Sequence, residues 1–368
     1  MKIEKIDVFQ VDLPYSRGVY TLSGGRAYRS FDATFVRITT DTGLEGWGES
    51  TPFGSTYIAA HALGVRAGIE EIAPHLLGRD PRHVDRINDA MDEALVGHLH
   101  AKTPIDVACW DIFGKSVNMP VCDLLGGRTA VSLPIISSIY TGSPEDMRQR
   151  VQMHREKGYK AHSIKIGDDP ALDAARVEAA LADNRPGEFF LLDANGGMTV
   201  ENSLRFLRLV PQGLDFVLEA PCATWRECIS LRRRTNVPIL WDELGDSETA
   251  VSQLIHDDAA EGIGLKISKN GGLTRGRRQR DMCVAAGYTM SVQETTGSNI
   301  AFAAIVHLGQ TVPQKFLRCV LECRDMVSVE TAVDHIPVVD GHVTAPDLPG
   351  LGIEPNLDVL GEPVATYR

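Results

Sequence analysis

Two lysines lie inside apolar runs whose composition suits buried strands. Lys165 is carried by His162-Ser163-Ile164-Lys165-Ile166-Gly167, and Lys266 by Gly262-Ile263-Gly264-Leu265-Lys266-Ile267-Ser268. Three runs between them end in acids: Asp193 with Asn195 close behind, then Glu219, then Asp242 beside Glu243. The run after Lys266 ends in Gln293 and Glu294. One lysine at a strand end is ordinarily solvated. Five strands in succession, with acids in the middle and a lysine on either side, point instead to a shared cavity.

The chemistry such a cavity supports is specific. Three carboxylates at one point raise one another's pKa and stay ionised together only around a cation. Oxygen-only ligands select a hard ion, and Mg²⁺ fits best. A lysine, ordinarily near pKa ~10.4, is pulled toward neutrality by burial and by a nearby divalent charge, and so becomes a usable base. A carboxylate substrate held there would lose its α-proton to one lysine and pass through an enediolate. At an effective dielectric of 20 and ~4 Å, a divalent ion gives the new charge roughly 8 kcal/mol against roughly 4 from a lysine. The metal is therefore the main stabiliser, and the lysines chiefly move protons.

Elements that could hold these groups alternate from about residue 130 onward. Short apolar strands are expected at 133–140, 162–167, 188–196, 214–221, 237–243, 262–268, 288–294 and 316–322, with helices between them. Ser143-Pro144-Glu145-Asp146 reads as a helix start, and Gly158 and Gly287 as helix ends. Eight strands with seven helices is the arithmetic of a parallel barrel one helix short, whose catalytic groups come from the carboxyl ends of the strands. No Gly-rich loop after the first strand supports an open dinucleotide-binding sheet.

Upstream, period-2 segments (IEKIDVFQVDL, ATFVRITT, GLEGWGES) form an antiparallel meander, followed by helical patterns at 56–76, 81–95 and 101–118. The expected organisation is an α+β unit over 1–128, a barrel over 129–340, and a Gly/Pro-rich segment over 341–368 packing back on the first unit.

Bulk properties narrow the partners. A formal charge of −12 argues against nucleic acid and anionic membranes, so the arginines at 232–234 and 275–280 read as solvated helix faces. Seven scattered cysteines with no Cys-x-x-Cys pair suggest neither a zinc ribbon nor a disulfide framework. No signal-peptide pattern opens the sequence and no long apolar span crosses it, so a cytoplasmic location is expected.

The run DVACWDIFGKSVNMPVCDLLGG (106–127), the acids at 193, 219 and 242, and LKISKNGG resemble the mandelate racemase/muconate-lactonizing branch of the enolase superfamily along nearly the whole chain. The resemblance implies an α/β fold: a modified TIM barrel, (β/α)7β, under an N-terminal α+β capping domain. It implies Mg²⁺ on Asp193, Glu219 and Asp242, and Lys165 and Lys266 as the acid/base pair. It also implies a small amino-acid substrate and an assembly of identical chains. Ser163 replaces the first lysine of the branch's Lys-x-Lys motif; it is expected to meet the substrate carboxylate, with Lys269 helping to tune Lys165.

Within the branch, ISSIY…HSIKIG, EAPCATW and SVQETTGS look like dehydratases of cis-3-hydroxy-L-proline, with proline-betaine-type 2-epimerases as the alternative. Tyr57, Asn195, Gln293 and Glu294 are expected by similarity to touch the substrate. The loop TLSGGRAYRS (21–30) and the segment TPFGSTYIAAH (51–61) are expected to set specificity.

Overall fold

The computed structural model describes residues 1–22 and 25–368, so Ser23 and Gly24 of the 21–30 loop lie outside the described residues. The amino-terminal half begins with strands β1 (Ile3–Pro14), β2 (Tyr20–Thr21), β3 (Ala27–Tyr28), β4 (Ser30–Thr40) and β5 (Glu45–Ser50). β1, β4 and β5 form the antiparallel meander read from the sequence, while β2 and β3 pair as a separate small hairpin. Helix Leu99–Val117 lies directly on β5. That approach depends on glycine: a Cβ at Gly48 would stand 2.0 Å from the Pro104 carbonyl oxygen, and one at Gly46 2.2 Å from that of Ala108.

The helix expected over 56–76 is shorter. It spans Ala62–Ile72 and is capped by His61, whose Nδ1 accepts from the Gly64 N–H at 3.2 Å. The stop releases residues 56–61 from helical geometry and turns Tyr57 toward the barrel.

The barrel strands are β6 (Leu133–Ile139), β7 (Ala161–Lys165), β8 (Phe189–Asp193), β9 (Val217–Glu219), β10 (Ile239–Trp241), β11 (Gly262–Lys266), β12 (Thr289–Gln293) and β13 (Leu317–Leu321). All pair in parallel with their neighbours, and Val320 of β13 pairs with Ile135 of β6 to close the ring. Burial on both faces accounts for their unbroken apolar character. Seven helices connect them, the first opened by a Ser143/Asp146 capping box with Pro144 at its first position. An additional single turn, Ile267–Asn270, follows β11 and folds Lys269 back toward the barrel mouth.

The last segment serves both units. β14 (His342–Val343) pairs with β6, and β15 (Ala365–Tyr367) pairs with β1.

Buried bonds fasten the cap to the barrel rim. Glu49 accepts from Ser298 N at 2.8 Å, Ser298 Oγ at 2.7 Å and Ala301 N at 3.0 Å. Asp106 accepts from Thr274 N at 3.0 Å and Thr274 Oγ1 at 2.6 Å. Among the described residues, no helix is long and apolar enough to cross a membrane.

Candidate active site

Lys165, Asp193, Glu219, Lys266 and Gln293 each end a barrel strand, and Asp242 directly follows one. Parallel register sets Lys165 beside Asp193 and Asp193 beside Glu219. β7 and β11 are four strands apart in a ring of eight, so the two lysines face each other across the barrel.

Each lysine is buried against an acid. Lys165 Nζ donates to Asp193 Oδ2. Lys266 Nζ donates to Asp242 Oδ2, and to the Tyr57 hydroxyl at 2.7 Å. That hydroxyl donates onward to Asp242 Oδ2 at 3.1 Å. Burial alone would lower Lys165, but Asp193, Tyr20 and Glu219 outweigh it and raise its pKa. Lys266 is likewise raised, by Asp242, Glu243 and Glu219 against its burial. The lysines drawn toward neutrality that the sequence led us to expect belong to a site holding a divalent ion; with the acids facing the lysines directly, the ion pairs raise both.

Lys269 also departs from expectation. Its Nζ donates to Asp242 Oδ1 at 2.9 Å and to the Asp242 and Gly264 carbonyls, so it serves Lys266's aspartate rather than Lys165's. Burial would raise Asp242, but Lys266 and Lys269 together hold it well below the usual carboxylate range.

Glu219 has no such partner. Burial, then the charges of Asp193 and Asp242, push it well above its ordinary value, and its Oε1 makes no hydrogen bond. Glu219 Oε1 and Asp242 Oδ1 both lie 3.2 Å from the point a Cβ on Gly264 would occupy, so they converge over a strand residue that has no side chain. Among the described residues, no three acidic, histidine or cysteine side chains already form a ligand set; Asp193 and Asp242 turn oxygens to lysines instead. An unpartnered buried carboxylate oxygen beside two further acids nevertheless suits a hard divalent ion.

A chamber of about 30 Å³ between the lysines is lined by Tyr57, Ser163, Gln293 and Glu294, four of the residues expected from the sequence to meet a substrate. Asn195 lines a neighbouring cavity of about 400 Å³, not this chamber. Its Nδ2 bridges Asp193 Oδ2 and Glu243 Oε1, each at 3.0 Å, and its own Oδ1 is buried without a partner. Burial, then Asp242 and Asp193, lift Glu243 to about 7. Glu294 accepts from Ser268 N at 3.2 Å and Thr295 N at 3.1 Å, and burial pushes it up to about 8. Gln293 Nε2 donates to Ser291 Oγ at 2.8 Å.

Several chamber residues were not singled out from the sequence, Tyr20 and Ser138 among them. Tyr20 comes from the cap and Ser138 from β6, and their hydroxyls lie 2.6 Å apart. A two-residue strand has no periodicity to reveal Tyr20.

Residues 18–126 match the mandelate racemase / muconate lactonizing enzyme N-terminal domain, and residues 146–359 the enolase C-terminal domain-like family. The chain belongs to the mandelate racemase/muconate-lactonizing branch of the enolase superfamily.

It is 42% identical over 367 residues, all of both chains, to a cis-3-hydroxy-L-proline dehydratase of Roseibium aggregatum. It is 27% identical to an N-succinyl-L-Arg/Lys racemase of Bacillus cereus, with 98% of each chain covered. A mandelate racemase/muconate lactonizing enzyme structure from Roseovarius nubinhibens complexed with magnesium superimposes with a TM-score of 0.99 at 55% identity, covering 100% of both chains. One from Aspergillus oryzae shares 68% identity at a TM-score of 0.95, covering 100% of this chain and 99% of that one. As a member of this superfamily the protein is an enzyme, and its relatives include dehydratases, racemases and cycloisomerases.

Proposed function

We propose that the protein is a Mg²⁺-dependent hydro-lyase that converts cis-3-hydroxy-L-proline to Δ1-pyrroline-2-carboxylate. The observation that carries this reading is the pair of buried lysines facing each other across one chamber. In this substrate the C3 hydroxyl shares a ring face with the carboxylate, so the C2 hydrogen lies on the opposite face. Loss of water is then an anti elimination that needs a base on one side and an acid on the other.

One lysine takes the C2 proton, and the released electron pair becomes the C2–C3 double bond. The C3–O bond breaks with its electrons, and the oxygen leaves as water with a proton from the other lysine. The enamine tautomerises to the pyrroline. Asp193, Glu219 and Asp242 are the residues that would hold Mg²⁺, which supplies positive charge beside the substrate carboxylate and relieves the acids of their dependence on lysine. Glu294 faces the chamber, where the ring-nitrogen cation would favour its charged form against the cost of burial.

The dehydratase relative at 42% identity supports the same substrate class. A second reading, 2-epimerisation of a proline derivative, uses the same two lysines: with no leaving group at C3, the far lysine returns a proton to the other face. The racemase relative favours retaining it.

The two readings separate on incubation with cis-3-hydroxy-L-proline in D₂O, with and without Mg²⁺. Pyrroline carboxylate formed only with the ion is the expected result. A deuterated epimer with no loss of water would replace the dehydratase reading by the epimerase one, and undiminished turnover after chelation would remove the metal from both.

A further inference from the structure

We infer that Tyr20, Ser138 and Ser163 form the seat for the hydroxyl group that leaves the substrate, with Tyr20 a specificity-determining residue supplied by the cap. This inference rests on the dehydratase reading.

All three residues line the chamber that also holds Lys165. Ser138 and Ser163 are register neighbours on β6 and β7, and Ser163 lies one inward-facing position below Lys165. Tyr20 is 1% exposed and reaches in from β2 to place its hydroxyl 2.6 Å from Ser138 Oγ. The Ser163 hydroxyl makes no hydrogen bond among the described residues, and it is not sealed into the protein interior either. It is open to whatever fills the chamber.

Matching by chemistry assigns the group. The substrate carries a carboxylate, a ring-nitrogen cation and a neutral hydroxyl. The carboxylate belongs with the acid cluster and its cation, and the ring nitrogen with Glu294. The three-hydroxyl wall carries no formal charge, and each hydroxyl can both donate and accept, which is what a neutral hydroxyl becoming water requires. This assigns Ser163 to the leaving oxygen rather than to the carboxylate. The adjoining wall is apolar, with Leu22, Phe53, Ile136, Leu321 and Met326 suited to ring methylenes. Lys165, beside this seat, then supplies the proton that leaves with the oxygen, and Lys266 faces the C2 hydrogen.

The test compares two reactions in wild type, Tyr20→Phe and Ser163→Ala. One is elimination from cis-3-hydroxy-L-proline; the other is exchange of the C2 hydrogen of L-proline for deuterium, which involves no hydroxyl. Elimination is expected to fall by about tenfold or more in each variant, with exchange falling by a much smaller factor. Parallel loss of both reactions would reduce these residues to structural support, and unchanged elimination would remove the seat. Ser163→Ala strands no partner, so it decides the matter even where Tyr20→Phe folds poorly. Failure of wild type to release water would instead overturn the dehydratase reading.

Discussion

A lysine paired with an aspartate gives up its proton reluctantly until that aspartate finds another partner. Lys165 and Lys266 are both in this position, and both acids belong to the cluster with the unpartnered Glu219. Ion occupancy and lysine basicity are therefore linked through the same oxygens. The placement of the hydroxyl seat gives the lysines different tasks. Lys266→Ala is expected to lose both elimination and C2 exchange on L-proline. Lys165→Ala should lose elimination by about 10²–10⁴-fold while still exchanging that hydrogen, measured by NMR in D₂O. The acids and lysines were legible in the sequence because each ends an apolar strand. Tyr20 was not, since nothing local marks a residue that acts through a contact with Ser138, 118 positions away.

At the scale of elements, the barrel could be read almost strand for strand, because buried parallel strands advertise themselves as apolar runs between capped helices. The turn Ile267–Asn270 was missed, and with it the true partner of Lys269; a four-residue helix is too short for any period to show. The segment 56–61 was read as helix because its composition permits one, and the His61 cap overrides that reading. The cap's own packing rests on Gly48, where an added methyl would run into Pro104 backbone rather than a movable side chain. Gly48→Ala is expected to cost about 1–3 kcal/mol, seen as a lower denaturation midpoint with an unchanged denaturant slope. A midpoint equal to wild type would show that the helix can shift without penalty.

Across the whole molecule, His307 links three parts of the chain. Its Nδ1 accepts from Cys122 N at 3.2 Å, and its Nε2 donates to the Leu351 carbonyl at 3.0 Å. Burial lowers its pKa to about 4. In the unfolded chain it titrates near ~6.5, so between those values the unfolded state holds the extra proton and stability falls as pH drops. The stability gap between wild type and His307→Gln should therefore shrink from pH 7 to pH 4, by about 3 kcal/mol at most. A gap that stays constant in denaturation experiments at the two pH values would show that His307 does not titrate differently on folding.

Tyr57 borders the catalytic chamber, the cavity beside Asn195 and a third cavity of about 450 Å³ near His100. The Glu49 and Asp106 bonds rivet the cap to the barrel, so wholesale lifting of the cap would break them at every turnover. Tyr57 stands where the three cavities meet, with its hydroxyl held between Lys266 and Asp242, so the room around that ring, rather than the strength of any domain hinge, bears on how large a molecule the chamber can admit.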